Sequence, residues 1–324
     1  MLLDLKTDEG QRVFRSMVAK ADGVINNLRS AAAVRLGLRY DQLKDVNPKV
    51  VCCSACGWGR AGERAKNAAY DYLLQAYIGH MALTGDPGQP PARSAIPWVD
   101  TSTGITAALG LVAGIVSAQR TGRGRDVDVS MVDVGMSQWM YLAAWYLTCG
   151  EEPQRQPMSA HPSIVPSQLL RTLDGYVIVM PQTQAFWQHL CVGVGLPGLI
   201  EDPRFATMAD RRLHKTELLA ILEPVFAARS SDHWLDALAG RVPIEKVNTF
   251  AEAMEAYRRE YPSQVLEWQH ETLGTVRAIN SPIRAGGSGQ VRRAPRLGEH
   301  TEEEIEGARQ TERPLEASRE SRQS

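Results

Sequence analysis

The chain carries no surplus of either charge: 36 lysines and arginines stand against 37 aspartates and glutamates, a formal net of -1. Without a basic excess there is no long-range field for a polyanion, which argues against DNA or RNA as the main partner. A local basic pocket for a phosphorylated cofactor needs no such excess. Cysteine is scarce too. Cys52, Cys53, Cys56, Cys149 and Cys191 are too few and too irregularly placed for a disulfide framework. Cys52, Cys53 and Cys56 lack the second pair or nearby histidine that would complete a metal site, so no metal is expected. They read as buried free thiols in a reducing, cytoplasmic compartment.

Long hydrophobic runs are missing as well. The most apolar stretch, Ile105 to Val116, falls short of the roughly 18 residues that suggest a membrane span, and reads as a buried helix. Met1 to Lys6 has no basic-then-apolar-then-small order, so no secretory leader is expected there. No internal repeat occurs. Beyond Gly298 large apolar side chains all but vanish, which predicts a fraying helix and then disorder.

What is present is an alternation of short apolar strands with amphipathic helices, the sign of a parallel sheet covered on both faces. Thr7 caps a helix carrying Val13, Phe14, Met17 and Val18 on one stripe. Gly23-Val24-Ile25, Lys49 to Cys53 and Asp126 to Met131 read as strands, and Leu2 to Leu5 as a late strand of a domain whose front is missing. A helix is expected from about Ala69 to Leu83 with Leu73, Leu74, Tyr77 and Met81 inward, and a long one from Asp133 to Leu147. Composition changes near Gly150, where Glu151 to Pro166 carries four prolines. A second unit follows: a hairpin over Ser167 to Met180, then helices around Phe186 to Val192, Arg212 to Ala227 and Ser231 to Ala239. Pro243, Ile244 and Val247 read as packing residues, and Thr275 to Ile279 as a final strand. The expected division is 1–150 for a large Rossmann-like domain and 151–166 for a linker. It continues with 167–275 for a smaller α+β domain, 276–298 for a return segment and 299–324 for a charged tail.

Ligands in such sheets gather beyond the carboxyl ends of the strands. The Gly57-Trp58-Gly59 loop falls there, though two glycines are no dinucleotide fingerprint. Asp100 stands out more. It follows the apolar run Ala95 to Val99 and lies a few residues ahead of the first turn of the Ile105 to Gln119 helix. Helix starts favour anions through unpaired N–H groups and the dipole. Asp100, Thr101 or Ser102 can simply cap the helix. The carboxylate can also act as a nucleophile on a thioester, provided water is excluded and small residues, such as those of Thr84 to Gly88, supply backbone donors.

Several ordered segments resemble the family III CoA-transferases, the group that includes formyl-CoA:oxalate and carnitine CoA-transferases. They are Leu3-Asp4-Leu5-Lys6, Ala21 to Arg29, Arg35-Leu36-Gly37-Leu38, Asn47-Pro48-Lys49, Gly57-Trp58-Gly59, Ala69-Tyr70-Asp71 and Leu83 to Pro87. The pattern is strongest at Val99 to Gly104 and from Arg120 to Asp133, and it continues through His161-Pro162-Ser163, Asp174-Gly175-Tyr176, Asp202 to Phe205, Pro243 and Val247-Asn248-Thr249. The resemblance reaches to about His300.

That resemblance implies an α/β fold with a Rossmann-like larger domain, a smaller α+β domain and an interlocked homodimer. It implies transfer of CoA from an acyl-CoA to a small carboxylic acid, with CoA as part of the substrate and no permanent cofactor. Asp100 takes the place of the catalytic aspartate, Asn27 and Arg35 fall where the CoA nucleotide is contacted, and Tyr70 falls in the active-site region. The α-methylacyl-CoA racemases of the same superfamily need a histidine base where Tyr70 stands, and a phenol with an ordinary pKa of about 10 does not replace it. The segment also departs from the pattern. A basic CoA contact is replaced by Ala68, and no glycine-rich loop appears near Met158 to Pro166. The apparent lack of the N-terminal portion leaves open a second reading, a catalytically inactive relative acting as a partner subunit. Trp98 hints at an acid with some hydrocarbon, and His161 is a candidate to orient its carboxylate.

Overall fold

The computed structural model describes residues 1–283 and 293–308. The chain divides into two units: Met1–Thr84 with Pro91–Gln154 and the residues from Pro295, and Gly85–Pro90 with Arg155–Ala294.

The first unit contains α1 (Asp8–Val18), β1 (Gly23–Asn26), α2 (Ser30–Arg35), α3 (Tyr40–Leu43), β2 (Val51–Cys56) and α4 (Asp71–Tyr77). It goes on through α5 (His80–Leu83), α6 (Trp98–Thr121), β3 (Arg125–Ser130), α7 (Met131–Ser137) and α8 (Met140–Cys149). The sheet is parallel in the order β1-β2-β3, with Val24 opposite Cys52 and Cys53 opposite Val127. Strand period decides the faces. Cys52 packs with Val18, Tyr40 and Leu43 beneath α1 and α3, while Cys53 packs with Ala107 and Val134 beneath α6 and α7. Leu2 to Leu5 forms no strand. Leu2 is tied by its N–H to Thr301 Oγ1 at 2.8 Å, and the Asp4 carbonyl accepts from Thr7 N at the entry to α1.

The apolar helix differs from expectation in length and in burial. α6 runs for 24 residues, long and apolar enough by composition to cross a membrane, yet one face lies on the sheet. Gly110 and Gly114 make that contact so close that a Cβ would sit 2.9 Å from Val127 Cγ1 and 2.7 Å from Val51 Cγ1. The inner face is mostly small, with Thr103, Ala107, Gly114 and Ala118 buried and Leu111 packed beside them. Ile105, Leu109, Val112 and Val116 point outward, with Ile105 72% exposed.

Both long helices expected around this core are broken, and one contact accounts for both breaks. The Trp139 indole N–H donates to the Ile78 carbonyl at 2.8 Å. That ends α4 at Tyr77, with Gly79 in the left-handed region at φ 83, and it separates α7 from α8, where Met140 takes φ 44. Of the four side chains expected inward on α4 and α5, Leu74 is fully buried while Leu73 and Tyr77 are exposed.

The second unit holds β4 (Gln168–Arg171), β5 (Tyr176–Val179), α9 (Gln184–Gly193), α10 (Met208–Leu213), α11 (Lys215–Ala227) and α12 (Ser231–Leu238). After them come β6 (Ile244–Lys246), α13 (Phe250–Glu260), β7 (Val265–His270) and β8 (Gly274–Ile279). β4 and β5 are the expected hairpin, and β6 joins as a third antiparallel strand where only packing residues were foreseen. Its strand character is hard to see in three residues that begin directly after Pro243. The core gathers Trp187, Leu190, Phe205, Leu218, Leu222, Phe226 and Leu238. The expected final strand is the second arm of a hairpin with β7. The Gly85–Pro90 loop belongs here because Arg155 Nη1 donates to the Gln89 carbonyl at 2.6 Å and Met158 N donates to Asp86 Oδ1 at 2.7 Å. Residues 301–308 are helical, and the disorder expected beyond them lies outside the described residues.

Candidate active site

Beyond the carboxyl ends of the three parallel strands, the first unit encloses a cavity of about 590 Å³. After β1 it is lined by Asn27 and Arg29, after β2 by Cys56 to Gly59, after β3 by Met131, and from the side by Ala65, Asn67 to Tyr70, Asp100, Thr103 and Gly104. Asp100, Asn27 and Tyr70 are thus brought together, although they are spread over 74 positions of sequence. Arg35 is not part of the lining. It is exposed in the last turn of α2, and Arg29, just before that helix, faces the cavity instead. Spacing alone carries no signal that would have preferred Arg29.

The cavity wall depends on a close approach. Gly57 lies so near Ala69 that a Cβ would fall 2.0 Å from the Ala69 Cβ, and its carbonyl accepts from Val132 N at 3.1 Å. Gly59 holds φ 85, a left-handed value that glycine adopts freely. The segment from Arg60 to Ala69 is strapped to this loop from above. The Trp58 indole N–H donates to the Ala68 carbonyl at 3.1 Å, and the Arg64 guanidinium lies 5.0 Å from the Trp58 ring and 4.5 Å from that of Tyr77.

Asp100 is the third residue of α6, inside the first helical turn and not several residues ahead of it. The helix begins earlier than expected because Trp98 and Val99 pack with Leu74 and Ile78, which ties the start of the helix to α4. The capping role considered for Asp100 does not hold, since the cap position is Pro97, with no side-chain cap bond. Instead the Asp100 N–H, one of the helix's otherwise orphan donors, is accepted by Asp71 Oδ2 at 3.0 Å. The Asp100 side chain is exposed, yet desolvation first, and the neighbouring Asp71 charge second, raise its carboxyl above the ordinary carboxylate value. A carboxylate made more basic in this way is a better nucleophile.

Other candidates resolve into supporting parts. Trp98 does not line the cavity; its ring packs at a tilt against His80 with centroids 5.1 Å apart. Burial holds the His80 imidazole below its ordinary value, against the pull of Asp71, and His80 is also absent from the lining. His161 Nδ1 accepts from Ser163 N and Ile164 N, each at 3.1 Å, so it braces a turn of the second unit. The Thr84 to Gly88 loop lies outside the lining, and its Asp86 accepts from Arg155 and Met158. Among the described residues no three His, Cys, Asp or Glu side chains gather as a metal group. Cys52 is pushed up to about 12 by burial.

Sequence reading missed an ion network on the parallel sheet. Arg39, 5% exposed, pairs with Asp128 at 2.8 Å and Asp126 at 3.0 Å and donates to Ser54 Oγ at 3.2 Å. Arg60, from the strap, reaches Asp128 at 2.6 Å, and Asn26 Nδ2 donates to the same Ser54 at 3.1 Å. The two aspartates on one face of a half-buried strand were the available signal, since such charges require a cation.

The profile of CoA-transferase family III matches residues 1–301. The chain belongs to that family. A succinate–glutarate CoA-transferase of Agrobacterium fabrum (strain C58) is 30% identical over 303 residues, covering 93% of this chain and 76% of the relative. An acetyl-CoA:oxalate CoA-transferase of Acetobacter aceti is 33% identical over 257 residues, 78% of this chain and 65% of that protein. Among solved structures, a CaiB/BaiF family protein from Brucella suis superposes with a TM-score of 0.76 at 30% identity, covering 94% of this chain and 80% of that one. As a family III member the chain falls among the CoA-transferases, and its α/β fold is the one its structural relatives share.

Proposed function

We propose that this chain transfers CoA from an acyl-CoA to a small carboxylic acid through covalent intermediates on Asp100. The observation that carries the reading is the placement of Asp100 in the cavity wall, in one lining with the β1 and β2 loops, with its carboxyl raised above the ordinary value. In the first step an Asp100 oxygen attacks the acyl carbon, the C–S bond breaks, and CoA leaves as a thiolate. The thiolate then attacks the Asp100 carbonyl carbon of the mixed anhydride, releasing the donor acid and leaving an aspartyl-CoA thioester. The acceptor carboxylate reverses both steps and regenerates the free Asp100 carboxylate. Charge balances throughout, so no acid or base residue is required. What the site must do is keep water from the anhydride.

In this reading Asn27 and Tyr70 line the path of CoA at the cavity, and Arg29 supplies a guanidinium, which suits phosphate oxygens. Arg35, at the exposed end of α2, is assigned to the nucleotide portion and not to the reacting end. Small dicarboxylic or related acids are the proposed acceptors, as the names of the relatives suggest. A homodimer is proposed as well, supported by the exposed stripe of Ile105, Leu109, Val112 and Val116 along α6, an apolar face at helical spacing that a second copy would cover.

Trapping tests the chemistry. Incubation with acyl-CoA and hydroxylamine should convert Asp100 to a hydroxamate detectable by peptide mass. An unmodified Asp100 peptide after CoA release has been measured would overturn the reading.

A further inference from the structure

Asp71 is a buried acid with an unusual set of neighbours. It is 4% exposed, yet no ion pair reaches it among the described residues. Its partners are neutral donors. Oδ2 accepts the Asp100 backbone N–H at 3.0 Å, and Oδ1 accepts from Gln75 Nε2 at 2.5 Å. Gln75 is itself fully buried and held in register by Ser94 N, which donates to its Oε1 at 2.9 Å. The chain Ser94–Gln75–Asp71–Asp100 thus fixes one carboxylate against the first turn of the helix that carries another.

Proteins seldom bury a carboxylate without a cation, and rarer still is one placed beside a second carboxylate. The nearby His80 is no full counter-ion, because burial holds it toward the neutral form. The groups around Asp100 can be named. Tyr70 and Asp71 come from the start of α4, Arg29 from the loop after β1, and Met131 from the start of α7; Asp100 is the acidic residue of the first turn of α6. Asp71 is the charge that acts on Asp100.

We propose that Asp71 is a positioning residue for Asp100, fixing the nucleophile's backbone while holding a second negative charge beside its carboxylate. Both consequences bear on the transfer step, so the proposal rests on Asp100 being the nucleophile. The hydrogen bond orients the first turn of α6, which has no side-chain cap of its own. The charge acts on energetics. Acylation turns the Asp100 carboxylate into a neutral anhydride or thioester, and with it the repulsion between the two acids disappears. The free carboxylate is therefore destabilised relative to each covalent intermediate. In a purely structural role Asp71 would cap α6 and its charge would be incidental.

Two variants separate the roles. Asp71→Asn keeps an acceptor for the Asp100 N–H but turns an amide N–H₂ toward the Gln75 amide. Combining it with Gln75→Glu restores every strong hydrogen bond, since the new carboxylate accepts both from the new amide and from Ser94 N. The charge then stands one link farther from Asp100. The titration of Asp100 is followed by ¹³C NMR of aspartate carboxyls, with the signal assigned by its loss in Asp100→Asn. The expected result in the double variant is an unchanged melting temperature and an Asp100 titration moved to lower pH. The acid limb of kcat/KM should move with it, and kcat should fall about tenfold. An Asp100 titration and acid limb identical to wild type would overturn the proposal and leave Asp71 as a cap. A moved titration with undiminished kcat would overturn its catalytic half. Because the NMR arm needs no turnover, it reads the Asp71–Asp100 coupling even if hydroxylamine trapping shows that Asp100 is not the nucleophile.

Discussion

Two pairs of aspartates in the first unit sit in opposite surroundings. Asp126 and Asp128 share the Arg39 guanidinium, and Asp128 also holds Arg60. Asp71 and Asp100 share a backbone hydrogen bond and, among the described residues, no ion pair. Burial pushes Asp128 up, but hydrogen bonds and charge from Arg39 and Arg60 outweigh it and hold the carboxyl below the ordinary range. At Asp100 burial and the neighbouring charge act in the same direction and raise it. One pair is neutralised and anchors loops, while the other is left electrostatically tense at the cavity wall. Paired charges of the first kind serve stability and geometry, whereas the second arrangement is the one held by the proposed nucleophile.

The contrast can be broken experimentally, and the largest effect is expected on turnover. Asp100→Ala should lower CoA exchange by about 10⁴-fold, measured by isotope exchange between donor acid and acyl-CoA, with the fold intact by circular dichroism. Exchange surviving at wild-type rate would remove Asp100 from the chemistry. Next comes Arg39→Met, which strands Asp126 and Asp128 without their shared cation. It should cost about 3 kcal/mol or more in urea unfolding, and the loss should shrink as pH falls below the carboxylate range. The sign follows from the depressed Asp128. Its contribution is fully present above the unfolded carboxyl value and is lost as pH drops through the lower folded one. The smallest effect belongs to Asp100→Asn. A carboxyl raised in the folded state opposes folding above its folded value, so this variant should be slightly more stable at neutral pH, by less than about 1 kcal/mol after solvent screening. The gap should close in acid, and a melting-temperature series across pH would show it. A destabilised Asp100→Asn would mean the two pairs are not opposites.

Part of this contrast was legible in the chain and part was not. The alternation of Asp126-Val127-Asp128-Val129 announces a half-buried strand, and β3 is there. Arg39 could not be matched to it, because the partners are 89 positions apart and nothing local links them. Asp100 was legible through its setting and its resemblance, but Asp71, directly after Tyr70, was passed over. Its meaning depends on a backbone N–H 29 residues away. Trp98 shows the reverse error. It looked functional by position, yet it is taken up in packing against α4.

Local residue chemistry was sufficient for the parallel strands, the cap at Thr7, the β4–β5 turn and the class of the fold, because hydrophobic period and turn residues act over a few positions. Tertiary contacts decided the rest. Trp139 reaching Ile78 cut two helices, Gly110 and Gly114 turned the small face of α6 inward, and Ala69 closing on Gly57 shaped the cavity. Each depends on surfaces that meet only after the chain has folded, and no local pattern records where a distant side chain will land.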